Sequence, residues 1–452
     1  MKKTRFLSVF LILACLTALA LPIRAAALED PAIRAKAALL ADVETGEIAY
    51  AKNEHQQLYP ASLTKVMTAL LVLEAQSRGE VSFDEVVTAG ESAFAAPYYA
   101  RDGSTANIKA GEELTIDSLL YCMLVVSANE ACNILAERVA GSIEAFVEKM
   151  NEKAAALGCE NTHFVNPSGL HDPDHYTSAW DVFLITKAAM EYPDFMRFCD
   201  TANVVIPATN MSDARNLWTT NHLLSTWRVI GYRNREAHGI KTGSTDAAGL
   251  CLISSAKRGE LHFVSVILGA ERIEENGVGN LLSFSETTRL FNYGFDNFSF
   301  RTIIESKEII QEIGVTLSKS DYVTVHPARD VEVLFPRDLD PADLERVVIA
   351  EESVAAPVTR GQKLGTLELR DGDKVYASVD LLASSDVDAD RLLVFWDGVK
   401  TFFRKPAVKP ILIGLAALIA AFFLFSLFTG RRRRYGRRGA RRGAGYRGRR
   451  RY

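Results

Sequence analysis

Three short runs in the sequence carry residue types able to perform acyl-transfer chemistry. The first is Tyr59-Pro60-Ala61-Ser62-Leu63-Thr64-Lys65. Pro60 suits the approach to a helix start, which puts Ser62 in the first turn. Residues three apart share a helix face, so the Lys65 amine can reach the Ser62 hydroxyl. A serine is a weak nucleophile until a base takes its proton. Lysine serves as that base only when burial or a positive neighbour pulls its pKa down. Backbone amides at a helix start also supply donors for an oxyanion. The second run, Ser127-Ala128-Asn129, follows the apolar stretch Met123-Leu124-Val125-Val126 and belongs in an inward-facing turn. There a hydroxyl can relay protons to a lysine base, and a carboxamide can hold a substrate amide. The third, His238-Gly239-Ile240-Lys241-Thr242-Gly243-Ser244, leads into a strand hairpin. A sheet edge of this kind binds an extended peptide through its backbone; Lys241 adds positive charge, and Gly243 permits close approach. Each run alone also has an ordinary reading: a helix start, a cap at Ser127 or Asn129, a lysine on a surface strand.

The elements that must position these runs are readable from periodicity. Ala37 to Asn53 reads as a hairpin about the turn Glu44-Thr45-Gly46-Glu47. From Ser62 the apolar spacing turns helical, and further helices are predicted over Ile116 to Val125, Glu130 to Val139, Ile143 to Leu157 and Ser178 to Met190. Past Ile240 two apolar strands, Gly249 to Ala256 and Leu261 to Leu268, flank Lys257-Arg258-Gly259-Glu260, and a last helix is expected near Leu281 to Tyr293. Strands at both ends with helices between predict an α/β domain with an antiparallel sheet and a helical cluster. From about Arg301 to Lys400 the texture becomes Val, Thr and Ile runs between turns, with no good amphipathic helix beyond a turn near Pro341 to Arg346. This predicts a small all-β domain, best read as a spacer.

Both ends address a membrane. Positive Met1 to Arg5, apolar Phe6 to Leu21 and small Ala25-Ala26-Ala27 form a secretory signal peptide over 1–27. Ile411 to Thr429 is 19 residues without a charge, enough for about 28 Å of helix, which predicts one transmembrane helix. The Arg cluster from Arg431 onward marks its side as cytoplasmic, leaving the catalytic body extracytoplasmic. The expected divisions are therefore 1–27, 28–300, 301–402, 411–429 and an Arg-rich tail at 430–452. The formal net charge of −4 hides twelve Arg in 431–452 and four cations in 1–27, with no acid in either stretch. The body between is strongly acidic, which argues against a nucleic-acid-binding domain, and no specific nucleic-acid partner is expected for the tail. Cys122, Cys132, Cys159, Cys199 and Cys251 remain after the signal; five is odd, so at least one thiol is free. His171-Asp172-Pro173-Asp174-His175 lacks further ligands, and neither metal nor cofactor is expected.

Taken together the three runs say more. S-x-x-K, then S-x-N 65 residues later, then K-T-G 114 residues after that, stand in one order and each in the context a site needs. With Asn166-Pro167-Ser168-Gly169-Leu170 and Lys241 to Gly249, the chain over about 30–400 resembles the low-molecular-mass penicillin-binding proteins, serine-type D-alanyl-D-alanine carboxypeptidases. The resemblance implies a penicillin-recognising domain, β-lactamase/transpeptidase-like in fold, followed by the all-β domain and the anchor. It implies that Ser62 attacks the penultimate D-alanine carbonyl of a peptidoglycan stem peptide, with Lys65 as base and Ser127 passing the proton onward. Asn129 would hold the peptide, Lys241 and Thr242 the terminal carboxylate, and the Ser62 and Ser244 amides the oxyanion, with Gly243 between. β-Lactams would acylate the same serine. One departure is visible: Leu282-Ser283-Phe284-Ser285-Glu286 lacks the Arg such enzymes often place before the last helix of this domain, and Arg272 is the nearby candidate to replace it. The rival readings are a β-lactamase-like hydrolase, for which no deacylating glutamate is evident, and a non-enzymatic wall-binding protein, against which the three runs are intact.

Overall fold

A computed structural model describes residues 28–275, 278–406 and 408–435; the signal segment and the end of the Arg-rich tail lie outside them. The described chain divides into two compact units, the one running to residue 301 with 332–343, the other residues 302–331 with the described residues from 344 onward.

The first unit is built on a five-stranded antiparallel sheet. Its strands are β1 (Ala37–Asp42), β2 (Ile48–Lys52), β3 (Ala237–Thr245), β4 (Gly249–Arg258) and β5 (Leu261–Ala270), in the order β2-β1-β5-β4-β3. All six residues of β1 are buried, which no one-sided sheet would require. The strand period of two explains it. Ala37, Leu39 and Ala41 face a core shared with the helical cluster. Ala38 and Leu40 face a second core with Leu290, Phe291 and Phe295. The sheet is thus covered on both faces, and its central strands read as continuous apolar runs.

The helical cluster comprises α1 (Lys65–Ser77), α2 (Ile116–Val125), α3 (Asn129–Ala140), α4 (Ile143–Ala156), α5 (Ala179–Met190) and α6 (Pro193–Cys199). Ten of the thirteen residues of α1 are buried, so this helix is apolar nearly all round and runs through the middle of the cluster. A 3-10 turn, Ala61–Thr64, leads into it. The caps of α2, α4 and α5 follow from sequence: the side chains of Thr115, Ser142 and Ser178 each accept from a backbone N–H three residues on. Strands β6 (Arg272–Glu275) and β7 (Val278–Leu281) form a ribbon that feeds α7 (Leu282–Asn297). The hairpin Asn203–Ile206/Arg215–Trp218 and helix α6 are additions to the elements expected from periodicity.

The second unit carries a six-stranded sheet. Its strands are β8 (Gln311–Thr316), β9 (Tyr322–Pro327), β10 (Glu345–Ala350), β11 (Ser353–Ala355), β12 (Lys363–Asp371) and β13 (Lys374–Ala383), in the order β10-β12-β13-β9-β8-β11. Ala377, Val379, Leu381 and Ala383 of β13 alternate inward, the pattern of a sheet with one apolar face. Two helices follow, α8 (Arg391–Arg404) and α9 (Val408–Tyr435). Helix α8 corrects the expectation that this region lacks an amphipathic helix. Asp390 caps it by accepting from Leu392 and Leu393, yet Leu392, Phe395, Trp396, Phe402 and Phe403 are exposed. No core stripe forms, and Gly398 interrupts the helix-forming pattern. Val408–Leu427 is, among the described residues, the one helix long and apolar enough to cross a membrane.

Candidate active site

The turn before α1 is held in an unusual shape. Ala61 has φ +48°, a left-handed conformation that a residue with a β-carbon adopts at a cost. Neighbouring groups hold it there. Thr64 Oγ1 donates to the Ala61 carbonyl at 2.9 Å and lies 2.8 Å from His175 Nε2. Val165 N–H donates to His175 Nδ1 at 3.2 Å, which assigns the ring proton to Nε2 and makes it the donor to Thr64. Burial pushes the His175 pKa down to about 3, keeping the ring neutral in this role. The His-Asp-Pro-Asp-His run thus contributes a scaffold for the serine turn.

A second turn meets the first. Asn166 Oδ1 accepts from the backbone N–H of Ser168, Gly169 and Leu170 at 3.2, 2.7 and 3.1 Å. Gly169 has φ +83°, and a β-carbon there would overlap the Ala61 carbonyl oxygen. The glycine is what lets the two turns touch. Their contact aims the Ser168 carbonyl at Lys65.

Lys65 is fully buried. Its Nζ lies 2.9 Å from Ser62 Oγ, 2.8 Å from Asn129 Oδ1 and 2.7 Å from the Ser168 carbonyl oxygen. The last two groups only accept, so they take two of its hydrogens. The remaining tetrahedral position points at Ser62. It is a donor in the ammonium and a lone pair in the neutral amine. Burial lowers the Lys65 pKa and favours the neutral form.

Ser127 sits between α2 and α3 with φ +66°. It is 4% exposed, and its Oγ has no hydrogen-bond partner among the described residues. It is not a cap: Ala128 holds that position and no side chain caps α3. Asn129, the first residue of α3, is turned inward to Lys65. A β-carbon on Gly103 would lie 2.5 Å from its Nδ2, so the carboxamide is enclosed.

On β3, Lys241 is 1% exposed and donates to the Thr242 carbonyl at 2.7 Å. Burial first, then repulsion from Lys65, pushes its pKa down to about 7. Thr242 Oγ1 is 2.5 Å from Thr220 Oγ1. A β-carbon on Gly243 would lie 3.1 Å from the Ser62 backbone nitrogen, the mark of a strand packed directly on the serine turn. These elements enclose a cleft of about 250 Å³ whose walls include Ser62, Ser127, Thr242, Gly243 and Ser244. Lys65, Asn129 and Lys241 stand behind that wall. Ser104, Thr220, His222, Arg272 and Ser283 also line the cleft. Of these, sequence reasoning raised Arg272 and noted the stretch containing Ser283; Ser104, Thr220 and His222 carry no local signal. Asn166 and Ser168 were visible as a stretch but not in their roles.

A doubly covered antiparallel sheet, a central helix opening on a serine turn and a following all-β unit define a penicillin-recognising α/β protein with a penicillin-binding-protein-5-type C-terminal domain. The family model for D-alanyl-D-alanine carboxypeptidase matches residues 24–272, and that for the penicillin-binding protein 5 C-terminal domain matches 298–389. D-alanyl-D-alanine carboxypeptidase DacF of Bacillus subtilis is 30% identical over 361 residues, covering 80% of this chain and 88% of the relative. DacA of Haemophilus influenzae is 29% identical over 371 residues, 81% and 89% of the two chains. The crystal structure of DacD from Francisella tularensis aligns with a TM-score of 0.66 at 26% identity, covering 83% of this chain and 98% of that one. Penicillin binding protein 5 from Haemophilus influenzae gives 0.62 at 28%, covering 80% and 99%. The chain belongs to the D-alanyl-D-alanine carboxypeptidase family, and its activity is the removal of a terminal D-alanine.

Proposed function

We propose that this activity runs through a serine acyl-enzyme. Ser62 Oγ attacks the penultimate D-alanine carbonyl of a peptidoglycan stem peptide while neutral Lys65 takes its proton. The backbone N–H groups of Ser62 and Ser244 hold the oxyanion. The amide C–N bond then breaks, and the proton returns through Ser127 to the leaving amine of D-alanine. Water attacks the ester, the proton passes back to Ser62, and the shortened peptide leaves. The observation that carries this reading is the Lys65 environment: two fixed acceptors and one open position directed at Ser62, 2.9 Å away. Asn129 both orients Lys65 and, through its amide, steadies the bound peptide. Lys241, Thr242 and Gly243 take the terminal carboxylate edge. Arg272, on the cleft wall beside Ser283, supplies the cation the stretch before α7 lacks.

β-Lactams, whose ring amide imitates the scissile bond, acylate Ser62. In this reading residues 1–27 are removed on export, and 28–300 form the catalytic domain. Residues 301–402 act as a spacer, and 411–429 cross the membrane with 430–452 on the cytoplasmic side. The exposed apolar residues of α8 fit a lipid surface beside that span. The test is D-alanine release from a pentapeptide ending in D-Ala-D-Ala by the full chain in detergent, alongside Ser62→Ala. Release lost in the variant, together with a penicillin adduct on the Ser62 peptide by mass spectrometry, is expected. Undiminished release by the variant would overturn the reading.

A further inference from the structure

A separate pocket, of about 260 Å³, lies at the end of strand β3. Strand β3 is a free edge of the sheet order β2-β1-β5-β4-β3, so an extended peptide can pair along it. With the terminal carboxylate at Lys241 and Thr242 and the reacting carbonyl at Ser244, the substrate runs antiparallel to β3. Its upstream residues then pass Thr245 towards Asp246 and Ala247. At about 3.4 Å per residue, the two residues before the acyl D-alanine arrive at the turn joining β3 to β4. Ala247 and Ala248 of that turn line the pocket, together with Tyr59, Pro173 and Tyr176.

The walls of the pocket are held in place. Thr245 Oγ1 accepts from the Ala248 N–H at 3.0 Å and fixes the turn. Tyr59 meets His171 edge-on, with ring centroids 4.7 Å apart. Lys36 is the one charged side chain of the wall. Its methylenes lie over Gly269, where a β-carbon would come 2.7 Å from Lys36 Cδ. Its backbone carbonyl accepts from Asn53 Nδ2 at 2.8 Å. The stem of this exposed side chain is thus positioned, yet its ammonium has no hydrogen-bond or ion-pair partner among the described residues. The Tyr59 and Tyr176 hydroxyls likewise have none among them. Asp172, Asp174 and Asp246 are close in sequence but are not part of the wall. A free cation accompanied by neutral O–H donors is a set that recognises a carboxylate.

We propose that this pocket binds a free carboxylate on the upstream arm of the stem peptide, and that Lys36 makes the enzyme prefer acidic stems to amidated ones. The proposal rests on the acyl-enzyme reading, which sets the direction of the substrate along β3. Lys36 takes no part in bond making; it acts by holding the arm that leads into the cleft. Benzylpenicillin, whose one carboxylate belongs at the Lys241 and Thr242 edge, offers Lys36 no anion.

The test measures D-alanine release by the full chain in detergent, wild type beside Lys36→Gln. The substrates are stem pentapeptides with carboxylates on the second and third residues, left free, amidated singly, or amidated together. For wild type, amidating both should lower kcat/KM on the order of tenfold, chiefly through KM, and the singly amidated peptides show which carboxylate is read. Lys36→Gln should handle the free peptide as wild type handles the doubly amidated one, and should distinguish none of the peptides. Its acylation by benzylpenicillin should change by less than about twofold, which also shows that the variant is folded. A wild type indifferent to amidation would overturn the proposal. So would a Lys36→Gln enzyme that keeps the preference, or one that loses penicillin acylation in step with peptide turnover. Ser62→Ala separates the two claims: undiminished D-alanine release there defeats the acyl-enzyme reading, whatever Lys36→Gln does.

Discussion

The two units of this chain treat polarity in opposite ways. The first buries Lys65, Lys241, Glu112, Glu130, Glu286, Asn129, Ser127 and many other polar side chains. Among residues 302–331, 344–406 and 408–427 of the second, no polar or charged side chain is buried. Its interior is Val315, Val325, Leu367, Val379, Leu381 and their like, while two of its ion pairs, Arg346–Glu308 and Lys363–Asp380, stand half in water. Burying a charge is unfavourable unless it is paired and hydrogen-bonded, so a unit that only needs to be stable avoids it. A unit that needs a lysine with a depressed pKa cannot avoid it. The contrast locates the chemistry without reference to any motif.

Four substitutions would break or sharpen that contrast. The largest effect belongs to Lys65→Arg. The guanidinium keeps the charge but does not give up its proton, so D-alanine release and penicillin acylation should each fall about 10³-fold. Retained activity would mean that the depressed lysine is incidental. Ser127→Ala should reduce kcat by about 10²-fold. Since the hydroxyl has no partner among the described residues, its loss should leave the thermal midpoint unchanged or slightly raised. A clear loss of stability in a melting curve would instead make Ser127 a structural residue. Leu367→Ala in β12, where the side chain is fully buried, should do the reverse. It should destabilise the second unit by about 3 kcal/mol while kcat for D-alanine release stays unchanged. The smallest effect is expected of Arg346→Ala, which breaks an exposed pair with Glu308 at 2.8 Å. Denaturant titration should show a change of about 1 kcal/mol or less, and activity should not move.

Much of the first unit was legible because its signals are local. Spacing placed α2, α3 and α4 to within a residue at each end and marked α1 by its start near Ser62, and the β4–β5 hairpin followed from two apolar runs about a four-residue turn. Ser62, Ser127, Lys241 and their neighbours were legible as motifs. Their partners were not. Asn129 reaches Lys65 across 64 positions and the Ser168 carbonyl across 103, and no local pattern encodes such a meeting. The ordinary reading of Ser127 as a cap was reasonable by residue type, yet the left-handed backbone there turns its hydroxyl into the site. Helix α8 escaped notice for a different reason. Periodicity reveals helices that pack on a protein core, and the apolar residues of α8 have none. Arg272 lies ten residues before α7 and comes to the cleft only because the β6–β7 ribbon carries it there.

The wiring of Lys65 has a practical corollary. Its three partners lie 3, 64 and 103 residues from it in the chain, so no short fragment or partly folded chain can assemble this centre. Competence therefore requires these distant segments to have come together as in the native state. On the proposed acyl-enzyme, penicillin labelling of Ser62 therefore counts correctly folded molecules. A fluorescent penicillin then becomes a gauge of how much of the enzyme has matured, independent of how much protein is present.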